Sequence, residues 1–380
     1  MSTKTMGGAK RVLVVGAGFS GAVIAREIAE AGHRVLVIDT RDHIAGNCHT
    51  ERDQETGVMV HRYGPHIFNT NNEQVWQYIQ RFGTLMPYIN RVKASIASGI
   101  YSLPINLHTI NQFFGVRLDP REAEAFLASR ASTEFPEPAN FEEQALSFIG
   151  KELYEAFFYG YTQKQWGCEP SQLPASILKR IPVRFNYNDN YYASRFQGIP
   201  LEGYTEIVRR ILDHPEIGIE LNTTWERSMN DQFCHVVYTG PIDKYFGCDN
   251  GSLGYRTVYW DCINGAGDLQ GNAVINYCDQ NDPFTRNHEH KHFAPWEEHD
   301  RSLLFTEYSK ETESGDIPYY PKRLSEDLTL LSSYQTRAEK EKAVSFVGRL
   351  ATYRYLNMDA VVAEALEKSL VIIEQLNQEP

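Results

Sequence analysis

Residues 11–39 read RVLVVGAGFSGAVIAREIAEAGHRVLVID. An apolar run from Val12 to Val15 leads straight into Gly16-x-Gly18-x-x-Gly21. A helical stretch with Ala22, Ile24, Ala25, Ile28 and Ala29 follows, and a second apolar run, Val35 to Ile38, ends in Asp39. Each piece has a physical reason. Gly16 permits a tight turn, Gly18 lets a pyrophosphate approach the backbone, and Gly21 lets helix and strand pack closely. The helix N-terminus offers free N–H groups and a positive dipole end to phosphates. Asp39, 18 residues past Gly21, is placed to accept from ribose hydroxyls. With both strands, the helix and the acid in register, the segment predicts a Rossmann-type dinucleotide-binding unit rather than a merely structural glycine turn.

At 380 residues the chain exceeds the size of one hydrophobic core, so two or three subdomains are expected. A net charge of −12 argues against nucleic acid or an anionic membrane as partner, and means that local arginines must hold any anionic substrate. No run approaches the roughly 20 apolar residues of a membrane span, and MSTKTMGGAK lacks the apolar core of a secretory signal. The six cysteines form no C-x-x-C pair and read as reduced, mostly buried thiols of a cytoplasmic protein. His288-x-His290-x-His292 reads as the polar face of a strand, and no metal is expected.

The helical text from Asp119 to about Lys179, with Pro120 at a helix start, predicts a small helical insertion. Residues 181–204 and 251–320 show short β-like runs that suggest an antiparallel sheet. The apolar runs after Cys234 and from Ser345 are expected to return to the nucleotide-binding sheet. A last helix carries Val361, Val362, Ala365, Leu366, Ser369, Leu370 and Ile373 at one-face spacing, with Asn357 or Asp359 as its cap. Nine of the residues 157–192 are aromatic, about twice the chain's overall share of 12%, and Arg180 and Arg184 are interleaved with them. Such a mixture suits stacking on a flat ring beside an anionic group.

The chain resembles bacterial UDP-galactopyranose mutases nearly end to end. The resemblance is carried by GAGFSGAV, YGPHIFNT, FFYGYTQKQWG, LPASILKRIPVRFNYNDNYY, FQGIPLEGYT, YTGPID, AVINY, FTRNHEHKHF, PYYP and GRLATYRYLNMD. It implies an α/β fold: a discontinuous Rossmann-type FAD-binding domain (1–85, 205–246, 335–380), a helical bundle (104–180) and a six-stranded antiparallel sheet (86–103, 181–204, 247–334). The implied reaction interconverts UDP-galactopyranose and UDP-galactofuranose without net redox change, by covalent catalysis at flavin N5 that requires reduced FAD. NAD(P)H or another reductant and a homodimeric, cytoplasmic enzyme are implied with it.

By the same resemblance Arg180 and Arg286 hold the two phosphates of UDP. Tyr161 and Trp166 form the uracil side, with Phe157, Phe158, Thr162 and Asn90. Tyr191, Arg256, Asn276, Tyr320 and Tyr355 complete the substrate set. Gly16, Gly18, Ser20, Gly21, Asp39, Thr40, Asn47, His66, Ile67, Thr239, Gly240, Arg349, Tyr355, Leu356 and Asn357 are the implied flavin contacts, with His66 at the isoalloxazine edge. His66 and Asn357 are also catalytic candidates. Three positions depart from the family text: Asn357 stands where Asp is usual, and Ala45 and Ala351 where Gly is usual. A flavin amine oxidase or desaturase, and a non-catalytic UDP-sugar or FAD-binding protein, are the rival classes.

Overall fold

The computed structural model describes residues 8–175 and 183–378. Strand β1 (Arg11–Val15), helix α1 (Phe19–Glu30) and strand β2 (Arg34–Ile38) form the expected unit. The strands pair parallel, with Val12 beside Val35 and Val15 beside Ile38. The full sheet has five parallel strands, in the order Ile217–Glu220, β2, β1, His235–Tyr238, Val344–Phe346. Both apolar runs from the later chain thus return to this sheet, as expected, His235–Tyr238 beside β1 and Val344–Phe346 beyond it at the edge. Strand order reverses at β1, which opens a crevice at the carboxyl ends of β1 and its neighbours.

The core beneath that crevice comes from the buried faces of α1, Tyr204–Leu212 and the C-terminal helix Met358–Gln378. The last of these differs from its sequence-based face. Val362, Ala365, Ser369, Ile372 and Leu376 are buried, whereas Leu370 is 68% exposed. Burial follows the sequence spacing 362, 365, 369, 372, 376, a narrower stripe than the one expected.

A second sheet has seven strands, in the order Tyr320–Pro321, Tyr255–Ala266, Arg301–Glu311, Arg286–Glu289, Val274–Tyr277, Val92–Ile96, Gly99–Leu103. It is not the purely antiparallel six-stranded sheet expected. The two-residue strand at Tyr320 adds an edge, and Val274–Tyr277 runs parallel to Val92–Ile96. Within 181–204 the described residues contain one strand, Phe196–Pro200, which joins Phe68–Thr70 and Leu85–Pro87 in a separate small sheet. His288 ends up buried on strand Arg286–Glu289, but the strand stops there. Residues His290–Phe293 form a helical turn with His290 also buried, so the three histidines share no polar strand face.

The helical insertion includes Pro120–Ala128, opened by a capping box between Asp119 and Glu122. Lys151–Tyr154 and Gly160–Trp166 are joined through a π-helical turn at Glu155–Tyr159, a widening that often marks functional positions. The six cysteines are free, but only Cys278 is fully buried, and Cys234 and Cys262 are exposed. Among the described residues, no helix is long and apolar enough to cross a membrane.

Candidate active site

A cleft of about 860 Å³ runs from the carboxyl ends of β1 and β2 to the second sheet. At its nucleotide end the wall is bare backbone. Gly16 has φ +107, its N–H donates to the Ile38 carbonyl, and a Cβ there would stand 2.1 Å from Thr239 Oγ1. A Cβ on Gly21 would stand 1.9 Å from the Gly16 carbonyl oxygen, so no other residue allows this helix–strand contact. No side chain caps α1, whose N-terminus faces the cleft through Gly18 and Ser20. Asp39 shapes the turn, accepting from the Ala17 and Arg41 amides at 2.8 and 3.0 Å.

The residues fit FAD. Gly18 and Gly46 face each other backbone to backbone, with 3.2 Å between a Cβ on Gly46 and the Gly18 Cα. Arg41 borders the cleft with Nη2 donating to Asn47 Oδ1 at 2.7 Å, while its buried Nη1 has no partner, a cation placed for an anionic group. Thr40, Asn47, His66, Ile67, Thr239, Gly240, Arg349, Leu356 and Asn357 all border the same cleft. The buried Nδ1 of His66 also has no partner. Burial, and then the nearby Arg349, push this imidazole down to about 4, so it is neutral near pH 7. Ala45 adopts φ +73, a left-handed conformation that favours glycine, so the departure from the family text at this loop carries backbone strain. Ala351 is simply buried.

At the other end Arg286 enters from its strand. Its Nε donates to Glu307 Oε1 at 2.9 Å, Nη2 lies 3.3 Å from Gln165 Oε1, and the guanidinium sits 6.0 Å over the Tyr161 ring. Glu307 is 2% exposed. Burial opposes its charge, but Arg286 and a hydrogen bond from His288 outweigh that and hold the carboxyl down to about 2. The pair is therefore ionised, and Arg286 borders the cleft. Tyr320 and Tyr355 stack at 5.7 Å on the cleft wall, with Arg349 5.0 Å over Tyr355. Arg349 is itself tied to the Leu356 and Tyr319 carbonyls.

The other substrate candidates lie further back. Phe157, Phe158, Thr162 and Trp166 are buried, the three aromatic rings in the apolar cluster of the helical insertion, and Trp166 touches Tyr320 at 6.3 Å between centroids. Asn90 and Asn276 are buried with unpartnered Oδ1 atoms, and Asn276 stands opposite Arg286 in the strand register. Tyr191 packs edge-on against Tyr192, which borders the cleft. Arg256 is not turned to the cleft. Its donors are committed to the Lys164 and Gln165 carbonyls, Ser309 and Glu311, so it ties helix Gly160–Trp166 to the sheet. Arg180 lies outside the described residues. Sequence reasoning missed Arg41, Gln165, Tyr192, His288 and Glu307. The available signal for Glu307 was strand alternation, since Leu303, Phe305 and Glu307 share one buried face.

A family model described as UDP-galactopyranose mutase matches residues 156–355, and one for an NAD(P)-binding Rossmann-like domain matches residues 14–82. A Klebsiella pneumoniae protein named "Probable UDP-galactopyranose mutase" is 54% identical over 94% of this chain and 93% of its own. The chain belongs to the UDP-galactopyranose mutase family. An Escherichia coli relative named "dTDP-fucopyranose mutase" is 48% identical over 96% of this chain and 98% of its own. The crystal structure of a reduced UDP-galactopyranose mutase superposes with a TM-score of 0.75 at 15% identity, covering 97% of this chain and 94% of that one, which shows the shared fold. Membership makes this chain an isomerase and an FAD-binding flavoprotein.

Proposed function

We propose that this chain interconverts UDP-galactopyranose and UDP-galactofuranose. The supporting observation is one cleft that joins a glycine-walled cofactor end to Arg286, itself ion-paired with the buried Glu307. Reduced FAD, when bound, supplies the nucleophile and the electron pair that the sugar carbon needs. The protein's residues supply binding and electrostatics. Arg286 offers Nη donors to the diphosphate, whose negative charge grows as it leaves the anomeric carbon. Arg180, by the resemblance, does the same for the second phosphate. Tyr161 offers a ring for the uracil, and the stacked Tyr320 and Tyr355 exclude water around the sugar. Neutral His66 orients the flavin edge without adding charge. We further assign NAD(P)H or another reductant as electron source, a cytoplasmic setting that fits six free cysteines, and a homodimer, each on the family resemblance.

The 48% identical relative named for dTDP-fucopyranose supports a second reading, a 6-deoxy sugar on a thymine nucleotide. Steady-state rates of the reduced protein on UDP-galactofuranose and on dTDP-fucofuranose separate them. The proposal expects the larger kcat/KM for the UDP sugar, and the reverse order would assign the chain to the second reading.

Asn357 borders the cleft directly before helix Met358–Gln378, and its carbonyl accepts from Val361. Restoring a carboxylate there places negative charge near developing positive charge on the sugar. Asn357→Asp is therefore expected to raise kcat of the reduced protein modestly with little change in KM, the pattern of an interaction made mainly in the transition state. Unchanged kcat would leave the residue only a helix-end role, where Asn and Asp are near-equivalent.

A further inference from the structure

Behind Arg286 lies a short chain of buried polar groups that binding of the diphosphate does not itself use. Strand Arg286–Glu289 pairs antiparallel with Arg301–Glu311, placing Arg286 opposite Glu307 and His288 opposite Phe305. Residues two apart share a face, so Arg286 and His288 both reach one carboxylate. Glu307 Oε1 accepts from Arg286 Nε at 2.9 Å and from Thr285 Oγ1 at 3.0 Å, and Oε2 accepts from His288 Nε2 at 3.0 Å.

The tautomer of His288 follows from its partners. Ionised Glu307 can only accept, so Nε2 carries the proton. Nδ1 is buried without a partner, and a second proton there would be an unsatisfied charged donor in a residue that is 1% exposed. His288 is thus neutral, consistent with the burial that lowers its pKa.

An arginine and a free carboxylate tend to close into a two-point pair, which would draw an Nη donor of Arg286 into the protein. Here His288 occupies the second oxygen. Among the described residues no hydrogen bond engages Arg286 Nη1, and Nη2 has only Gln165 at 3.3 Å. We propose that His288 is a positioning residue for the substrate diphosphate: it holds Glu307 Oε2 so that Arg286 is gripped through Nε alone and keeps its Nη edge for phosphate. This rests on the reading that Arg286 binds the diphosphate.

The test is titration of the oxidised FAD-bound protein with UDP and, separately, with uridine, which lacks the phosphates. Wild type, Arg286→Ala, His288→Ala and His288→Gln are compared, the glutamine placing an amide donor near the imidazole Nε2. His288→Leu fills the volume without a donor and replaces the alanine variant if that does not fold. Loss of one hydrogen bond to a charged group sets the scale, so His288→Ala is expected to weaken UDP about tenfold. Uridine affinity and the flavin spectrum should stay unchanged, and His288→Gln should return most of the UDP affinity. Equal weakening of uridine and UDP, or no rescue by glutamine, overturns the positioning role. Wild-type UDP affinity in His288→Ala beside a weak Arg286→Ala also overturns it, while the diphosphate reading stands. Wild-type UDP affinity in Arg286→Ala overturns that reading and the inference together.

Discussion

Arg286→Ala is expected to lower kcat/KM of the reduced protein by two or more orders of magnitude while FAD stays bound. Removing one partner of a desolvated charge pair costs roughly 2–5 kcal/mol, and each ~1.4 kcal/mol is a factor of ten. Two losses combine here. The diphosphate loses its donors, and Glu307, 2% exposed, loses the cation that keeps it ionised. The variant should therefore also unfold at lower temperature. Arg286→Lys restores a charge without the forked donors and should fall between the two. Near-normal turnover in both variants would mean that the phosphates are held elsewhere.

Gly18→Ala is expected to yield a folded protein that purifies with little or no flavin. Gly18 has φ −78 and ψ −176, an extended conformation open to any residue, and a Cβ would meet only the Gly46 Cα at 3.8 Å. The protein itself has room for the methyl group; what it lacks is room for a pyrophosphate as well. Gly21→Ala is the contrasting variant. Its Cβ would lie 1.9 Å from the Gly16 carbonyl oxygen and 2.9 Å from Val14, so α1 must move off the sheet. Overpacking of this kind costs about 1–3 kcal/mol or more. Melting temperatures of the cofactor-free proteins, with the flavin content of each preparation, separate the two effects. A yellow Gly18→Ala protein with wild-type affinity for FAD would place the pyrophosphate away from this turn.

The cofactor end of the cleft was legible in the sequence because its determinants are local. Gly16, Gly18 and Gly21 act through backbone conformation and Asp39 through its carboxylate, all within one βαβ unit, and spacing reports them directly. The substrate end was legible only in part. Arg286 follows from the family text, but Glu307 and His288 meet through strand register between segments about 20 residues apart, which no local pattern encodes. Arg256 shows the reverse error. The resemblance put it in the substrate set, yet carbonyls of the neighbouring helix occupy its donors. The histidine run misled for a related reason, since the strand that would have alternated it ends at Glu289. Burial on the C-terminal helix was set by what α1 offers it, so Leu370 stayed outside although its spacing matched.

An isomerase that depends on a reduced cofactor, yet transfers no net electrons to its substrate, gives a clear experimental signature. Purified flavin-loaded protein is incubated with UDP-galactofuranose, with and without dithionite, and formation of UDP-galactopyranose is followed by chromatography. Conversion should appear only after reduction and continue through many turnovers on a single reduction, and the arm without dithionite should take up no oxygen. Absence of conversion in fully reduced protein, or an oxidised sugar product formed with oxygen uptake, would contradict it.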